Sequence, residues 1–569
     1  MALAQINKLS ARDWWKGGEP LVWMNAAAVT ISAMAVIALL ALLAVRGFGH
    51  FWPASVMQGT YTLPDGVAHA VLGEVVETEA VPIEQIRSSG IDVKSDEIFL
   101  QRSLIKKGNR DLTGADFGWY LRKYVTEESY PVSALVLERR EWGNFYGFLR
   151  EVKEQGAVVA DANVDEAVMY EALEQRLQRA KALFGDIHQV EKGEIGDINY
   201  GLEKLRLRER RLQLEQADLS PQAITIEKDA IAAKRASLEA EYAGLQQKLE
   251  TLYTQINRDS ITVAAADGRV LEIPIAKIVR VYRPNAMGLF EKIGFYFAKL
   301  AEFFTDDPRE ANTEGGIFPA IFGTVVMVLI MSVIVTPFGV VAAVYLREYA
   351  RQGWLTQAIR VAVNNLAGVP SIVYGVFGLG FFVYFLGGNI DRLFHPEASP
   401  APVFGTPGLL WASITLALLT LPVVIVATEE GLARIPRSLR EGSLALGATK
   451  AETLWRIVLP MASPAMMTGL ILAVARAAGE VAPLMLVGVV KLAPTLPVDG
   501  NFPYVHLERK LMHLGFHIYD VGFQSPNVEA ARPLVYATAL ILVVVIALLN
   551  FSAVALRNRL REKYRALEM

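Results

Sequence analysis

Six long apolar stretches constrain the fold of this chain more than any other feature of its sequence. Each has at least 20 residues, and at about 1.5 Å per helical residue that length crosses a hydrocarbon core of about 30 Å. The first is longer than the core of a signal peptide and has no convincing small-residue cleavage site, so we expect a retained helix. The stretches lie at about residues 21–45, 317–345, 358–386, 409–428, 465–490 and 534–556.

Composition divides the chain between membrane and water. Hydrophobic residues make up 53% of the chain and the mean hydropathy is +0.30, which is too apolar for a purely soluble protein, yet 20% of the residues are charged. The sequence therefore predicts a membrane part and a water-exposed part. There are no cysteines, which excludes disulfides, thiolate metal sites and thiol catalysis.

Basic residues cluster in alternate flanks of the six stretches. By the positive-inside rule, both termini and a loop at 429–464 lie in the cytoplasm, whereas residues 46–316 lie outside. The predicted fold is an all-α polytopic membrane protein with an external α+β domain, divided at residues 1–20, 21–45, 46–316, 317–556 and 557–569. The basic flanks contain Lys8, Arg12, Lys16, Arg347, Arg351, Arg360, Arg434, Arg437, Arg440, Lys450, Arg456, Arg557, Arg559, Arg561, Lys563 and Arg565.

The external segment contains two runs of apolar residues at seven-residue spacing. Such repeats with charged flanks are typical of a coiled coil, and we predict a coiled-coil hairpin over about 165–257 that projects on the order of 50 Å. Glu191 interrupts the outgoing run, and Leu219-Ser220-Pro221 marks the tip. The repeats are Leu177, Phe184, Ile198, Leu205, Leu212 and Leu219 outward, and Ile224, Ile231, Leu238, Leu245 and Leu252 on the return.

Segments rich in β-branched residues precede and follow the hairpin, at 145–165 and 260–282. They predict strands with glycine turns, among them the turn Asp267-Gly268-Arg269-Val270. Two such halves around a hairpin resemble the split lipoyl-type β-domain of periplasmic membrane-fusion adaptors. Another small β-domain carrying a spacer fits the same pattern.

The cytoplasmic loop predicts a helix from Arg440 to Leu446, a turn at Gly447, and a second helix that ends at Pro460. The loop resembles the EAA loop of bacterial ABC importer permeases, in which E-A-A is followed by G and then by I-x-L-P. Gly442 and Ser443 replace the two alanines. The resemblance implies that an ATPase docks on this loop, through Glu441, Gly447, Ile457, Leu459 and Pro460.

The fifth stretch contains two charges, Arg476 and Glu480, one helical turn apart. Charges are costly in lipid, so both should face the protein interior or a water-filled path. Arg476 can offer a planar donor fork to a tetrahedral oxyanion while Glu480 offsets its charge. The alternative is an intrahelical salt bridge that only stabilises the bundle.

The run R-A-A-G-E-V-A-P-L-M around these charges is similar to the R-A-x-G-E-T-A-P-L-L motif of the PstA permeases of phosphate-specific transport, with Val481 in place of threonine. Residues 366–382 and 434–450 also match. This resemblance implies a type I ABC importer permease fold in the bacterial inner membrane. It also implies phosphate as substrate and three partners: a related permease subunit forming a heterodimer, a cytoplasmic ATPase dimer and a periplasmic phosphate-binding protein.

Arg434 occupies the position of another arginine that matters in that family, at the cytosolic end of the fourth span. Here it equally fits an ordinary positive-inside charge. Glu429 and Glu430 are its neighbours in the sequence and would partly neutralise it.

Several kinds of chemistry find no support in the sequence. No G-x-x-x-x-G-K-[ST] run occurs, so we expect no catalytic residues or cofactors in this chain, with ATP and Mg bound by the partner ATPase. The external loop from Lys491 to Arg532 contains His506, His513 and His517, which lack a carboxylate at ligand spacing, so this loop predicts a surface for the binding protein rather than a metal site. No basic and aromatic interleaving indicates nucleic acid.

Four functions remain open from the sequence. The first is a phosphate importer permease in a lipid bilayer, and the second is a permease for another oxyanion such as molybdate or sulfate. The external hairpin also fits a tethering or efflux assembly. A phosphate-sensing component is the fourth possibility.

Overall fold

The computed structural model describes residues 15, 18–62, 66, 68–88, 90, 93, 97–161, 163–217, 219–525 and 528–564. The predictions made for Lys8, Arg12, Lys16 and Arg565 lie outside these residues. Helix α1 (Glu19–Gly49) is the first of six helices in the described part that are long and apolar enough to cross a membrane. The last turn of this helix carries one basic residue, Arg46.

The insertion, residues 46–316, begins with an antiparallel five-stranded sheet in the order β4-β3-β2-β1-β5. Its core is formed by alternating apolar residues such as Met57, Val71 and Ile105. The strands are β1 (Val56–Thr62), β2 (Ala68–Pro82), β3 (Phe99–Lys106), β4 (Phe117–Leu121) and β5 (Val125–Ser129), with short helices α2 (Ile83–Ser88) and α3 (Arg110–Thr113).

A second sheet joins the segments on either side of the hairpin. Its order is β10-β9-β7-β6-β11, with β8 paired to β7, and Val152 opposes Ile261 in the β7–β9 register. The turn between β9 and β10 has Gly268 at φ +84°, as the sequence predicts. The lipoyl-type resemblance stays a prediction. The strands are β6 (Leu135–Arg139), β7 (Phe145–Glu154), β8 (Ala157–Asp161), β9 (Asp259–Ala264), β10 (Val270–Pro274) and β11 (Ile278–Tyr282).

Two antiparallel helical arms leave this sheet. The outgoing arm is α4 (Glu166–His188), a π-helical turn (Gln189–Glu194) and α5 (Ile195–Leu214), and the returning arm is α6 (Pro221–Ile256). The π-helical turn falls where Glu191 interrupts the repeat, since its extra residue shifts the helix face. Ser220 caps α6, and its hydroxyl accepts the N–H of Ala223. The supercoil of a coiled coil stays a prediction.

The hairpin does not extend freely away from the membrane part, so the predicted projection is wrong. Arg211, near the end of α5, pairs with Glu397, which is 3% exposed and lies in a loop of the membrane part. The Tyr200 hydroxyl donates to the Phe502 carbonyl at 2.5 Å. These bonds join residues far apart in sequence, and the seven-residue repeats contain no information about them.

Helix α7 (Leu289–Thr305) follows the second sheet and is fixed to it by a buried charge cluster. The Glu302 carboxylate lies 3.0 Å from Arg280, 3.2 Å from Lys299 and 2.7 Å from Arg309. Lys299 also pairs with Glu138 at 2.9 Å. Burial raises the pKa of Glu302, but Lys299, Arg309 and Arg280 outweigh it, so the pKa lies below its ordinary value. A two-residue ladder, β12 (Pro308–Arg309) and β13 (Glu314–Gly315), closes the insertion.

The remaining five spans form one bundle around a buried core that includes Met331, Leu416 and Ala477. The helices are α8 (Phe318–Val344), α9 (Trp354–Leu366), α10 (Ser371–Phe377), α11 (Gly388–Phe394), α12 (Leu409–Arg434), α13 (Arg437–Ala445), α14 (Lys450–Thr453), α15 (Leu459–Gly479), α16 (Leu484–Val487), α17 (Leu514–Tyr519) and α18 (Val528–Tyr564). π-Helical segments extend or connect several of them at Tyr345–Tyr349, Gly378–Gly387, Leu454–Val458 and Asp520–Gln524.

Two predicted spans have wrong boundaries. The third does not begin at residue 358, because the chain breaks before Pro370, which has no N–H and disfavours helix in the preceding residue; the span is Ser371–Phe394. The fifth is Lys450–Gly479 rather than 465–490. Consequently the second helix of the loop at 429–464 does not end at Pro460 but continues through it.

We predict that the hairpin stays on the membrane part in the intact protein. Asn501 donates to Asp197 at 2.9 Å, so Asp197→Cys with Asn501→Cys in this cysteine-free chain should be cross-linked efficiently by a short bis-maleimide. The control pairs Asn501→Cys with Gln247→Cys, an exposed position on α6. Equal cross-linking of both pairs, or none of the first, would contradict the arrangement.

A second prediction concerns pH and the cluster around Glu302. Because the folded pKa is lowered, the carboxylate stabilises the insertion fully above about pH 4.5, and this contribution declines as pH falls through the folded value. We expect Glu302→Gln to lower the free energy of unfolding by about 2 kcal/mol at neutral pH. Pulse proteolysis across a urea series in detergent measures it.

The matched control is Glu141→Gln, because Glu141 pairs with Lys277 at 3.7 Å on the surface. An exposed pair of this kind contributes about 0–1 kcal/mol. The deficit of Glu302→Gln should shrink below about pH 4.5. A deficit that grows on acidification would have the wrong sign.

Candidate functional site

The two charges of the fifth span lie where its helix ends. Arg476 is in the last turn of α15, and Glu480 follows it with extended backbone angles of −80° and 133°. Glu480 therefore lies outside the helix, contrary to the prediction, because the helix ends at Gly479. The Arg476 Nε and a Glu480 carboxylate oxygen are 3.6 Å apart, which is an ion pair but too long for a hydrogen bond.

The Arg476 guanidinium keeps donor capacity. Its Nε is buried without a hydrogen-bond partner among the described residues. The side chain as a whole is 35% exposed, and that of Glu480 is 20% exposed. A buried unpaired N–H is costly, so an anion that accepts from this guanidinium would satisfy it.

Close packing holds the chain just after Glu480. A Cβ on Gly375 of α10 would lie 2.7 Å from Pro483, and one on Gly515 would lie 2.5 Å from the Val481 side chain. The Tyr374 hydroxyl donates to the Leu366 carbonyl at 2.6 Å. The residue that departs from the family motif, Val481, therefore packs against the loop between the last two spans.

Arg434 lies at the other end of the bundle. It is the last residue of α12, its side chain is 81% exposed, and Glu430 lies 4.0 Å away. Glu429 does not neutralise it as expected, because it pairs with Arg360 at 3.1 Å. The structure therefore does not bring Arg434 together with Arg476.

The loop at 429–464 forms two helices that meet at Gly447, whose φ is +89°. Helix α13 ends at Ala445, one residue earlier than predicted. The hydroxyls of Ser443 and Thr453 lie 2.9 Å apart and join the two helices. Thr449 and Glu452 form a capping box at the start of α14. The local chemistry thus specifies the turn and both helix ends.

An ion pair that the sequence did not indicate fastens this loop to the second span. Arg440 lies 2.9 Å from Glu348 and also donates to the carbonyls of Ile435 and Leu432 at 2.8 Å. The available signal is weak: Glu348 is an acidic residue between Arg347 and Arg351 in a basic flank. The pair makes the loop part of the bundle rather than a loose connection.

The outer side of the loop is apolar as well as charged. Leu446 is 92% exposed and Trp455 is 75% exposed, and Glu441 is exposed on the same pair of helices. Ile457, Leu459 and Pro460 are half-buried. The cluster that packs the loop onto the bundle consists of Leu432, Ile435, Leu454, Val458 and Ala462.

The three histidines are buried within the external loop, and the surface for the binding protein stays a prediction. His506, His513 and His517 are each no more than 2% exposed. His506 bonds Asp499 at 2.9 Å, and His513 caps α17 by accepting the N–H of Gly515. Within the described ranges, no group of three His, Cys, Asp or Glu side chains could hold a metal ion.

The membrane part of the chain is similar in sequence to known transport proteins. The family model described as "Binding-protein-dependent transport system inner membrane component" matches residues 335–562. The phosphate transport system permease protein PstA 1 of Mycobacterium tuberculosis (strain CDC 1551 / Oshkosh) is 36% identical over 245 residues, 43% of this chain and 71% of that protein. PstA of Yersinia pestis is 33% identical over 276 residues, 47% of this chain and 83% of that protein.

A third relative is matched over less of its length. The probable ABC transporter permease protein YqgH of Bacillus subtilis (strain 168) is 32% identical over 206 residues, which are 35% of this chain and 62% of YqgH. The two PstA proteins are covered over more than two thirds of their length at more than 30% identity. The chain therefore belongs to the PstA-like permeases, within the family of binding-protein-dependent transport system inner membrane components.

Proposed function

We propose that the chain is the permease subunit of an ATP-driven importer of inorganic phosphate and forms half of its transmembrane path. Its PstA relatives support phosphate as the substrate. The observation that carries the site is the unpartnered Nε of Arg476, part of a guanidinium at the end of a membrane-spanning helix. Phosphate offers several acceptor oxygens in the geometry that such a fork binds.

Glu480 makes binding by Arg476 reversible. An unopposed arginine in a low-dielectric site would hold an anion too tightly for passage. The carboxylate at 3.6 Å offsets that charge without occupying the guanidinium with a hydrogen bond. The pair can therefore exchange its own weak contact for one with a passing oxyanion.

The helix that ends at Arg476 begins in the cytoplasmic loop. Residues Lys450–Gly479 form one helical stretch of 30 residues, about 45 Å long. Force from a partner on the outer side of the loop, through Glu441 and Gly447, would reach Arg476 along this single helix. The Arg440–Glu348 pair would pass the same force to α8. Such motion would expose the path alternately to the two sides of the membrane.

The assembly follows from this role. The partners are a related permease subunit in a heterodimer, a cytoplasmic ATPase dimer that binds ATP and Mg, and a periplasmic phosphate-binding protein. Both termini and the loop around Glu441 face the cytoplasm, and the insertion is periplasmic. Arg434, which is largely exposed at the cytoplasmic end, would meet the ion only as it leaves. This chain supplies no catalytic group and no cofactor.

The site yields a quantitative prediction for transport. Losing charge-assisted hydrogen bonds of about 1.5–3 kcal/mol should lower uptake of labelled phosphate by Arg476→Ala roughly 10- to 100-fold. Uptake by Arg476→Lys should be higher than that by Arg476→Ala but lower than that by the unaltered protein, because an ammonium lacks the planar fork. The control is Arg392→Ala, an exposed arginine elsewhere in the bundle.

Undiminished uptake by Arg476→Ala would remove this residue from the mechanism. Competition by molybdate or sulfate in the unaltered protein separates the two substrate classes. If either anion blocks labelled phosphate uptake as well as unlabelled phosphate does, the selectivity part of the proposal is wrong.

The loop offers a matched pair of glycine substitutions. Gly447 has φ +89°, where an alanine costs about 1–2 kcal/mol, whereas Gly442 is helical with open space for a Cβ. We expect Gly447→Ala to lower phosphate uptake about fivefold or more, and Gly442→Ala to leave it unchanged. Equal behaviour of the two variants would show that the turn geometry does not matter for coupling.

A further inference from the structure

Helix α7 presents its polar and apolar faces the wrong way round for a helix in water. Two of its four charged residues, Lys299 and Glu302, are directed into the protein, where they belong to the cluster with Arg280, Arg309 and Glu138. Its outer face carries large apolar side chains. Leu289 is 64% exposed, Phe290 88%, Ile293 37%, Phe297 62% and Phe304 38%.

The outer face is continuous and uninterrupted by charge. Positions 290, 294, 297, 301 and 304 follow the three- and four-residue spacing of one helix face, and they are Phe, Gly, Phe, Ala and Phe. The one charge near this face, Glu291, is in the first turn and accepts the backbone N–H of Gly288. A contiguous apolar face of this size marks a surface that meets something other than water.

The position of α7 indicates what its apolar face contacts. The inner side of the helix packs on the ends of three spans, where Phe303 contacts Phe51 beyond the first span at 4.9 Å between ring centroids. The same core includes Ile317 before the second span and Leu534 of the sixth. Helix α7 therefore lies level with the ends of these helices.

The surface beside α7 is itself lipid-facing. The most apolar stretch of the first span has no buried residue, and Trp52 follows it, 41% exposed and 6.1 Å from Tyr296 of α7. Tryptophan and tyrosine concentrate where a bilayer meets water. The apolar face of α7 continues this surface.

We propose that α7 is an interfacial helix that lies in the membrane leaflet on the side of the insertion, with Phe290, Phe297 and Phe304 among the lipid chains. The occupant of the apolar face is the bilayer itself. The Glu302 cluster holds the other face to the sheet, so the helix fixes the insertion to the membrane surface. Amphipathic helices bury an apolar face to about 5–10 Å in this way.

The cysteine-free chain makes the test direct. The full-length protein with its partner subunits is reconstituted in phospholipid vesicles, with single nitroxide labels at Phe297→Cys and at Ala301→Cys, which keeps all the phenylalanines. Collision with oxygen, which partitions into lipid, is compared with collision with a water-soluble nickel chelate. Val36→Cys in the first span is the lipid reference, and Lys277→Cys is the water reference; both positions are exposed.

We expect both α7 labels to show an oxygen-to-nickel collision ratio shifted from the Lys277 value toward the Val36 value. A ratio equal to that of Lys277 would place the face in water and overturn the proposal. Access by neither reagent would show that a protein, such as the related permease subunit, covers the face, and it would equally overturn the proposal. Neither result depends on which anion is transported.

Discussion

A single helix runs through Pro460, and the proposed mechanism depends on its continuity. Proline removes one backbone hydrogen bond and clashes with the preceding turn, so it normally kinks or ends a helix. Here a π-helical turn at Leu454–Val458 comes immediately before it. In this turn hydrogen bonds run to the fifth residue back, as from the Leu459 N–H to the Leu454 carbonyl, and the helix continues past Pro460. The loop and the charge at Arg476 therefore lie at the two ends of one continuous helical stretch, Lys450–Gly479.

That element is fastened at both ends by specific contacts and along its length by small residues. At the loop, Arg440 holds Glu348 and Ser443 holds Thr453. Between them and Arg476, a Cβ on Gly469 would lie 2.7 Å from Ala427 of α12, so the two helices meet at backbone distance. Small residues at this contact let the two helices pack closely.

Hydropathy and repeat spacing predicted much of this structure, because they show which face of each helix contacts lipid, water or another helix. Six spans and a helical hairpin near 165–257 were predictable from these patterns, and the glycine itself predicted the turn at Gly447. The boundaries of the third and fifth spans were not predictable, because a hydropathy pattern does not reveal a helix break before Pro370 or a helix that begins in a polar loop. The EAA function of the loop and the roles of Arg476 and Arg434 stay predictions.

Contacts between distant residues were beyond the reach of the sequence. Arg211 and Glu397 are separated by 186 positions, and nothing local marks either as a partner of the other. The same holds for Arg440 and Glu348, 92 positions apart. Nothing in the sequence marks Glu302 as buried, yet it is 8% exposed.

The insertion interrupts the chain between the first two spans without separating them from the bundle. The first span packs on the sixth so closely that a Cβ on Gly47 would lie 2.7 Å from Ala537. The chain leaves the first span at Gly49 and reaches the second span at Phe318 by way of α7. The rings of Phe51 and Phe303 pack against each other between these two points. A large domain with such adjacent ends costs the bundle little, since its entry and exit are already held together. Both ends of the insertion are thus held at the ends of the spans, and the contacts of Arg211 and Tyr200 add a second attachment that places the hairpin on the bundle.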